Sequence, residues 1–108
     1  MWVGTLELDL LLGGSDLPVR SLKDKRSVVR PIVAELQRRF AVAAAEAGHL
    51  DLHRRALVGV AVVAADREHC LEVLDGCERL VASRPEIELL SARQRLISSE
   101  DDLDGFGE

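Results

Sequence analysis

Arg55-Ala56-Leu57-Val58-Gly59-Val60-Ala61-Val62-Val63-Ala64-Ala65 is the stretch whose reading decides the fold. Val58, Val60 and Val62 share one parity, and Leu57, Gly59, Ala61 and Val63 share the other. An extended chain sends alternate side chains to opposite faces, so this segment offers an apolar residue to both. Strands apolar on both parities are covered on both faces. The stretch therefore predicts a strand with helices on one side and a second covering on the other.

Upstream, residues 41–47 are rich in alanine, but Gly48 ends the run after seven residues. We read it as a strand, because tertiary context overrides alanine's helix propensity in so short a segment. Gly48-His49-Leu50-Asp51 then forms a turn, and the two strands make a hairpin. Residues 2–12 alternate cleanly, with Trp2, Gly4, Leu6, Leu8, Leu10 and Leu12 on one parity and Val3, Thr5, Glu7, Asp9 and Leu11 on the other. That is a first strand with an apolar face and a partly acidic one. Gly13-Gly14-Ser15-Asp16 breaks it.

Ser21 opens the first helix as its cap, with Asp24 three residues on as a short substitute for the glutamate of a capping box. Leu22, Val29, Ile32, Val33, Leu36 and Phe40 form its apolar stripe, opposite Lys23, Arg26, Arg30 and Arg38. Pro31 removes one backbone hydrogen bond, and one kinked helix is expected rather than two. Downstream of the hairpin, Asp66 caps a second helix whose inward stripe is Cys70, Leu71, Leu74, Cys77 and Val81, stopped at Arg84-Pro85. Residues 86–97 make the last strand. The order strand, helix, strand, strand, helix, strand gives a βαββαβ sandwich with right-handed crossovers, an antiparallel four-stranded sheet and both helices on one face. The other sheet face then exposes one parity of residues 57–63, and a homodimer or larger assembly joined through that face is expected.

The chain has 108 residues and 3% aromatic side chains (Trp2, Phe40 and Phe106), so the core must be aliphatic. Single-stranded nucleic-acid binders stack bases on exposed aromatics, a mode this composition disfavours. The formal charge of −5 belongs entirely to residues 100–108, which carry five carboxylates and no base. We therefore expect one domain over residues 1–98 and a disordered acidic tail over 99–108. Cys70 and Cys77 lie on one helix about 10 Å apart, beyond disulfide reach, and fit no zinc spacing. The first residues lack the basic flank of a signal peptide, and no apolar run approaches a membrane span, so a cytoplasmic location with no membrane partner is expected.

Two constellations carry chemistry. Residues 20–39 hold seven bases against Asp24 and Glu35. Ser21, Lys23, Lys25 and Arg26 crowd the start of a helix, where a cation opposes the dipole and a phosphate is welcome. Lys23, Lys25, Arg26 and Arg30 are the expected contacts for RNA, and a solvated helix face neutralised by Glu7, Asp9 or neighbouring chains is the plainer alternative. The second constellation is Glu46, His49, Asp51, His53, Arg54 and Arg55, with Glu46, His49, Asp51 and Arg55 as the secondary candidate site. Its two histidines lack a third metal ligand at a convincing spacing, so a hairpin held by Asp51–Arg salt bridges is expected in place of a metal or catalytic centre. No cofactor is expected, since Gly13-Gly14-Ser15 lacks the lysine and spacing of a phosphate loop.

Several stretches carry a family resemblance. Ser21-Leu22-Lys23-Asp24-Lys25-Arg26 opens the helix and Arg39-Phe40 ends it. Ala45-Glu46-Ala47-Gly48-His49 with Asp51-Leu52 follows, then Arg55-Ala56 and Leu57-Val58-Gly59-Val60-Ala61-Val62-Val63. On these residues the chain resembles the YlxP-like family of small uncharacterised bacterial proteins, over about residues 2–97. His53 stands where the family typically carries tryptophan, and Pro31 is atypical inside the first helix. The resemblance implies a ferredoxin-like fold, no established enzymatic activity, and gene neighbours in translation initiation and ribosome maturation. The resulting expectation is a non-enzymatic binding module for RNA or ribosome assembly. A ligand-sensing or scaffolding oligomer and an enzyme centred on residues 46–55 are the alternatives.

Overall fold

The elements of the chain follow one another as β1 (Trp2–Leu12), α1 (Leu22–Phe40), β2 (Ala43–Gly48), β3 (Arg55–Ala64), α2 (Arg67–Ala82) and β4 (Ile87–Ser98). They come from a computed structural model that describes residues 1–13 and 18–100. The turn residues Gly14, Ser15 and Asp16 and the acidic tail from Asp101 onward lie outside the described residues.

The strands form one antiparallel sheet in the order β2-β3-β1-β4. This is the ferredoxin-like βαββαβ arrangement, with β1 and β3 at the centre. On β1 the even positions from Gly4 to Leu12 are buried, and on β3 so are Ala56, Val58, Val60, Val62 and Ala64. Both sets face the helices. Val58, Val60 and Val62 thus lie in the core, and Leu57, Gly59, Ala61 and Val63 belong to the open face. Ile32, Leu36, Leu74, Cys77 and Val81 close the core from above.

Local chemistry sets the helix ends. Ser21 is extended (φ −152°) and its Oγ accepts from the Asp24 N–H at 3.1 Å, while the Asp24 carboxylate accepts from the Arg20 N–H at 3.0 Å. The reciprocal bond reaches one residue before the cap. Pro31 sits inside a single helical span, on its exposed side. At the other end Ala41 takes a left-handed conformation (φ 52°) and donates its N–H to the Gln37 carbonyl. Asp66 caps α2 by accepting from the His69 N–H at 2.8 Å.

The inward stripe of α1 departs from expectation at two places. Leu22 is 40% exposed, whereas Lys25 is 2% exposed. Leu22 and Lys25 lie beside Glu46 and Leu50 of the β2–β3 connection, and Lys25 is the first buried residue of the helix. Two glycines allow the layers to approach. A Cβ on Gly4 would stand 2.6 Å from Cys70 Sγ and 2.9 Å from Leu74 Cδ1, so α2 rests directly on β1. A Cβ on Gly76 would stand 2.6 Å from Phe40 Cε1, so the end of α1 rests on α2. Cys70 and Cys77 are both buried free thiols, and burial pushes the Cys77 thiol up to about 11.

Candidate functional site

The structure divides the four basic candidates of α1 into two groups. Lys23, Arg26 and Arg30 are exposed. With Ser27 they follow the i, i+3, i+4, i+7 spacing of one helix face. Together with Pro31 they line a shallow recess of about 490 Å³. Among the described residues none of the three cations has an acidic partner within salt-bridge distance. Glu7 and Asp9, considered as their neutralising partners, are engaged elsewhere, with Arg93 and Arg55. Further along α1, Arg38 and Arg39 share the single carboxylate of Glu35 with Arg84, so that end of the helix also carries excess positive charge, but each of those arginines has an acidic partner.

Lys25 points the other way. Its Nζ lies 2.6 Å from Glu46 Oε2 and donates to the His49 carbonyl at 2.7 Å. The approach to Oε2 is short but off the hydrogen-bond direction, so that oxygen is satisfied by charge alone. The pair joins the first turns of α1 to the end of edge strand β2, where a register shift between Glu46 and Gly48 swings the chain outward. His49 then takes a left-handed conformation (φ 56°), which aims its carbonyl at Lys25.

The same residue ties in the opposite sheet face. His49 Nε2 lies 3.5 Å from Asp9 Oδ1, and Arg55 Nη2 donates to both Asp9 oxygens at 2.7 Å. The Arg55 guanidinium, hydrogen-bonded to the carboxylate, holds the Asp9 carboxyl below its usual value, against an opposing push from burial. Lys25, Glu46, His49, Asp9 and Arg55 thus form one polar chain around the edge of the sheet. Every member is turned toward another member, which is the arrangement of a clamp.

Asp51 corrects the expectation for the hairpin. It is exposed and, among the described residues, pairs with no arginine. The hairpin is held instead by Arg55 on Asp9 and by Arg54, which donates to the Leu12 and Gly13 carbonyls at 3.2 and 3.0 Å. His53 is also exposed and stands apart from the clamp. Asp9 was absent from the sequence-derived site. The visible signal for it was its place on the acidic parity of β1, facing a strand that begins with Arg55.

Asp9 has a measurable consequence. Its depressed carboxyl stabilises the fold fully above the unfolded value of about 3.9, and the contribution fades as pH falls through the lower folded value. Replacement by Asn should therefore flatten the loss of stability between neutral pH and about pH 3. Urea midpoints at the two pH values would show it, and equal acid losses in both proteins would refute the pairing.

Among the described residues no helix is long and apolar enough to cross a membrane. The family model described as "Protein of unknown function (DUF503)" matches residues 3–94. The "Uncharacterized protein YlxP" of Bacillus subtilis (strain 168) is 35% identical over 68 residues, 63% of this chain and 74% of that protein. The fold, the residues quoted from α1 and the hairpin, and these matches agree, and the chain belongs to the DUF503 family.

Proposed function

We propose that the protein is a non-enzymatic binding module that holds the phosphates of RNA, in ribosome maturation, through the exposed face of α1. The observation that carries this reading is the recess lined by Lys23, Arg26, Ser27 and Arg30. Three cations stand there without acidic partners among the described residues, and one of them, Lys23, lies in the first helical turn, where the dipole disfavours a cation. An anionic ligand offsets that cost. Lys23 to Arg30 spans about 10 Å of helix axis, enough to follow a few consecutive phosphates. The stripe carries no aromatic side chain, so it contacts backbone and reads no base. Lys25 supports the surface from beneath by holding the helix start on the hairpin and touches no ligand itself.

Binding of a labelled RNA hairpin should weaken linearly in log–log plots as salt rises, with a slope of about −2 to −3. Replacing Arg26 or Arg30 by Gln should lower the slope by about one each. Binding that ignores salt, or variants that bind as wild type does, would sink the proposal.

A further inference from the structure

Among the described residues, the open sheet face is a second surface with no element packed on it. Directly opposed residues of antiparallel strands share a face, so the registers sort it into rows. One row is Val63, Val3 and Ile97; the next is Ala43, Ala61, Thr5 and Arg95; the third is Ala45, Gly59, Glu7 and Arg93. The β2–β3 half is apolar and almost without relief, forming a hollow of about 390 Å³ around Gly59 and Ala61. Val63, 65% exposed, rises beside it on the same strand.

From this geometry we infer that the open face binds a second copy of the chain, with Val63 of each protomer seated over Gly59 of its partner. Val63 and Gly59 are equidistant from Ala61 on one strand and one face. A two-fold axis lying across the strands at Ala61 exchanges the two positions, so each knob meets a hole and the contact closes on itself. Gly59 is the one outward position of β3 without a side chain, and the face offers a hole there for that knob.

Charge gives no reason for a different occupant. On the outer face Glu7, Asp9 and Glu88 balance Arg55, Arg93 and Arg95, and the Glu7–Arg93 and Asp9–Arg55 pairs are satisfied within one chain. No net field selects an oppositely charged partner, in contrast to the basic face of α1. Arg93 and Arg95 border the face on one side only, on edge strand β4, where the Arg95 side chains of the two copies, brought opposite each other by the axis, extend into solvent.

Sedimentation of RNA-free protein tests this directly. The wild type should run at twice 11.8 kDa at about 100 µM and dissociate on dilution. Val63→Glu, at an exposed site, should weaken the dimer at least tenfold while leaving the circular dichroism spectrum unchanged. Gly59→Leu tests the hole from the other side. Its Cβ would meet only Ala47 Cβ at 3.2 Å and Ala45 O at 4.0 Å, so the chain should fold while the seat is filled. A wild type that stays monomeric, leaving the face to some other protein, overturns the inference. So does a dimer that tolerates both substitutions.

Discussion

Lys25→Ala is expected to destabilise the protein by about 3 kcal/mol, a fall in melting temperature of roughly 10–20 °C for a domain of this size. The Lys25 side chain is 2% exposed, and removal of its ammonium leaves Glu46 Oε2 buried beside no positive charge and the His49 carbonyl without its donor. Breaking a buried pair from one side costs about 3–5 kcal/mol, and Glu46, 22% exposed, retains enough water to place the effect at the low end. The loss of the buried aliphatic stem adds to it. Lys25→Met keeps the stem and should still cost most of that energy. The double variant Lys25→Met, Glu46→Leu should recover much of it, because replacing both charges removes the stranded carboxylate. Urea unfolding of the wild type, Lys25→Met, Glu46→Leu and the double variant forms a cycle. Purely additive losses would contradict the pairing described here.

Gly4→Val should be nearly as damaging, at about 3 kcal/mol, although valine is the better strand former. Its Cβ would stand 2.6 Å from Cys70 Sγ, 2.9 Å from Leu74 Cδ1 and 3.2 Å from Val62 Cγ1, and all three residues are buried. Only a shift of α2 away from β1 makes room, and that opens the centre of the aliphatic core. Because the closest clash is with one sulfur, Cys70→Ala should partly rescue Gly4→Val while costing stability in the wild-type background. A Gly4→Val protein as stable as wild type in urea would mean that α2 does not rest on β1.

How far the sequence could be read depended on the kind of signal each residue carried. The doubly apolar stretch at 55–65 and the alternation of 2–12 set the strands, and Ser21 and Asp66 marked both helix starts, because period and capping are local properties. The alanine run resolved as a strand against its propensity, since Ala44 and Glu46 needed a place beside β3. Which face of β3 the helices cover was not legible. Both parities are apolar there, and only the positions of α1 and α2 decide between them.

The site was legible in composition and not in pairing. Lys25 looked like its neighbours Lys23 and Arg26, yet helix phase turns it beneath the sheet edge while they face water. Asp51 stood close to the arginines in sequence, but strand register hands Arg55 to Asp9, 46 positions away. Charge pairing across a sheet depends on register, and register follows from the whole strand. Leu22 fits the helical period and is nevertheless 40% exposed, beside Glu46 and Leu50 at the start of the β2–β3 connection.

The surface proposed to contact RNA is the set of free cations on α1, and not the hairpin or the sheet. Titrating isotope-labelled protein with a short RNA hairpin and following backbone amide chemical shifts locates the contact residue by residue. The account predicts perturbations concentrated at Lys23, Arg26, Ser27 and Arg30, reversed by added salt, with Lys25 and Glu46 moving little. Shifts confined to Leu57–Val63 on the open sheet face, or none at all at low salt, would contradict it.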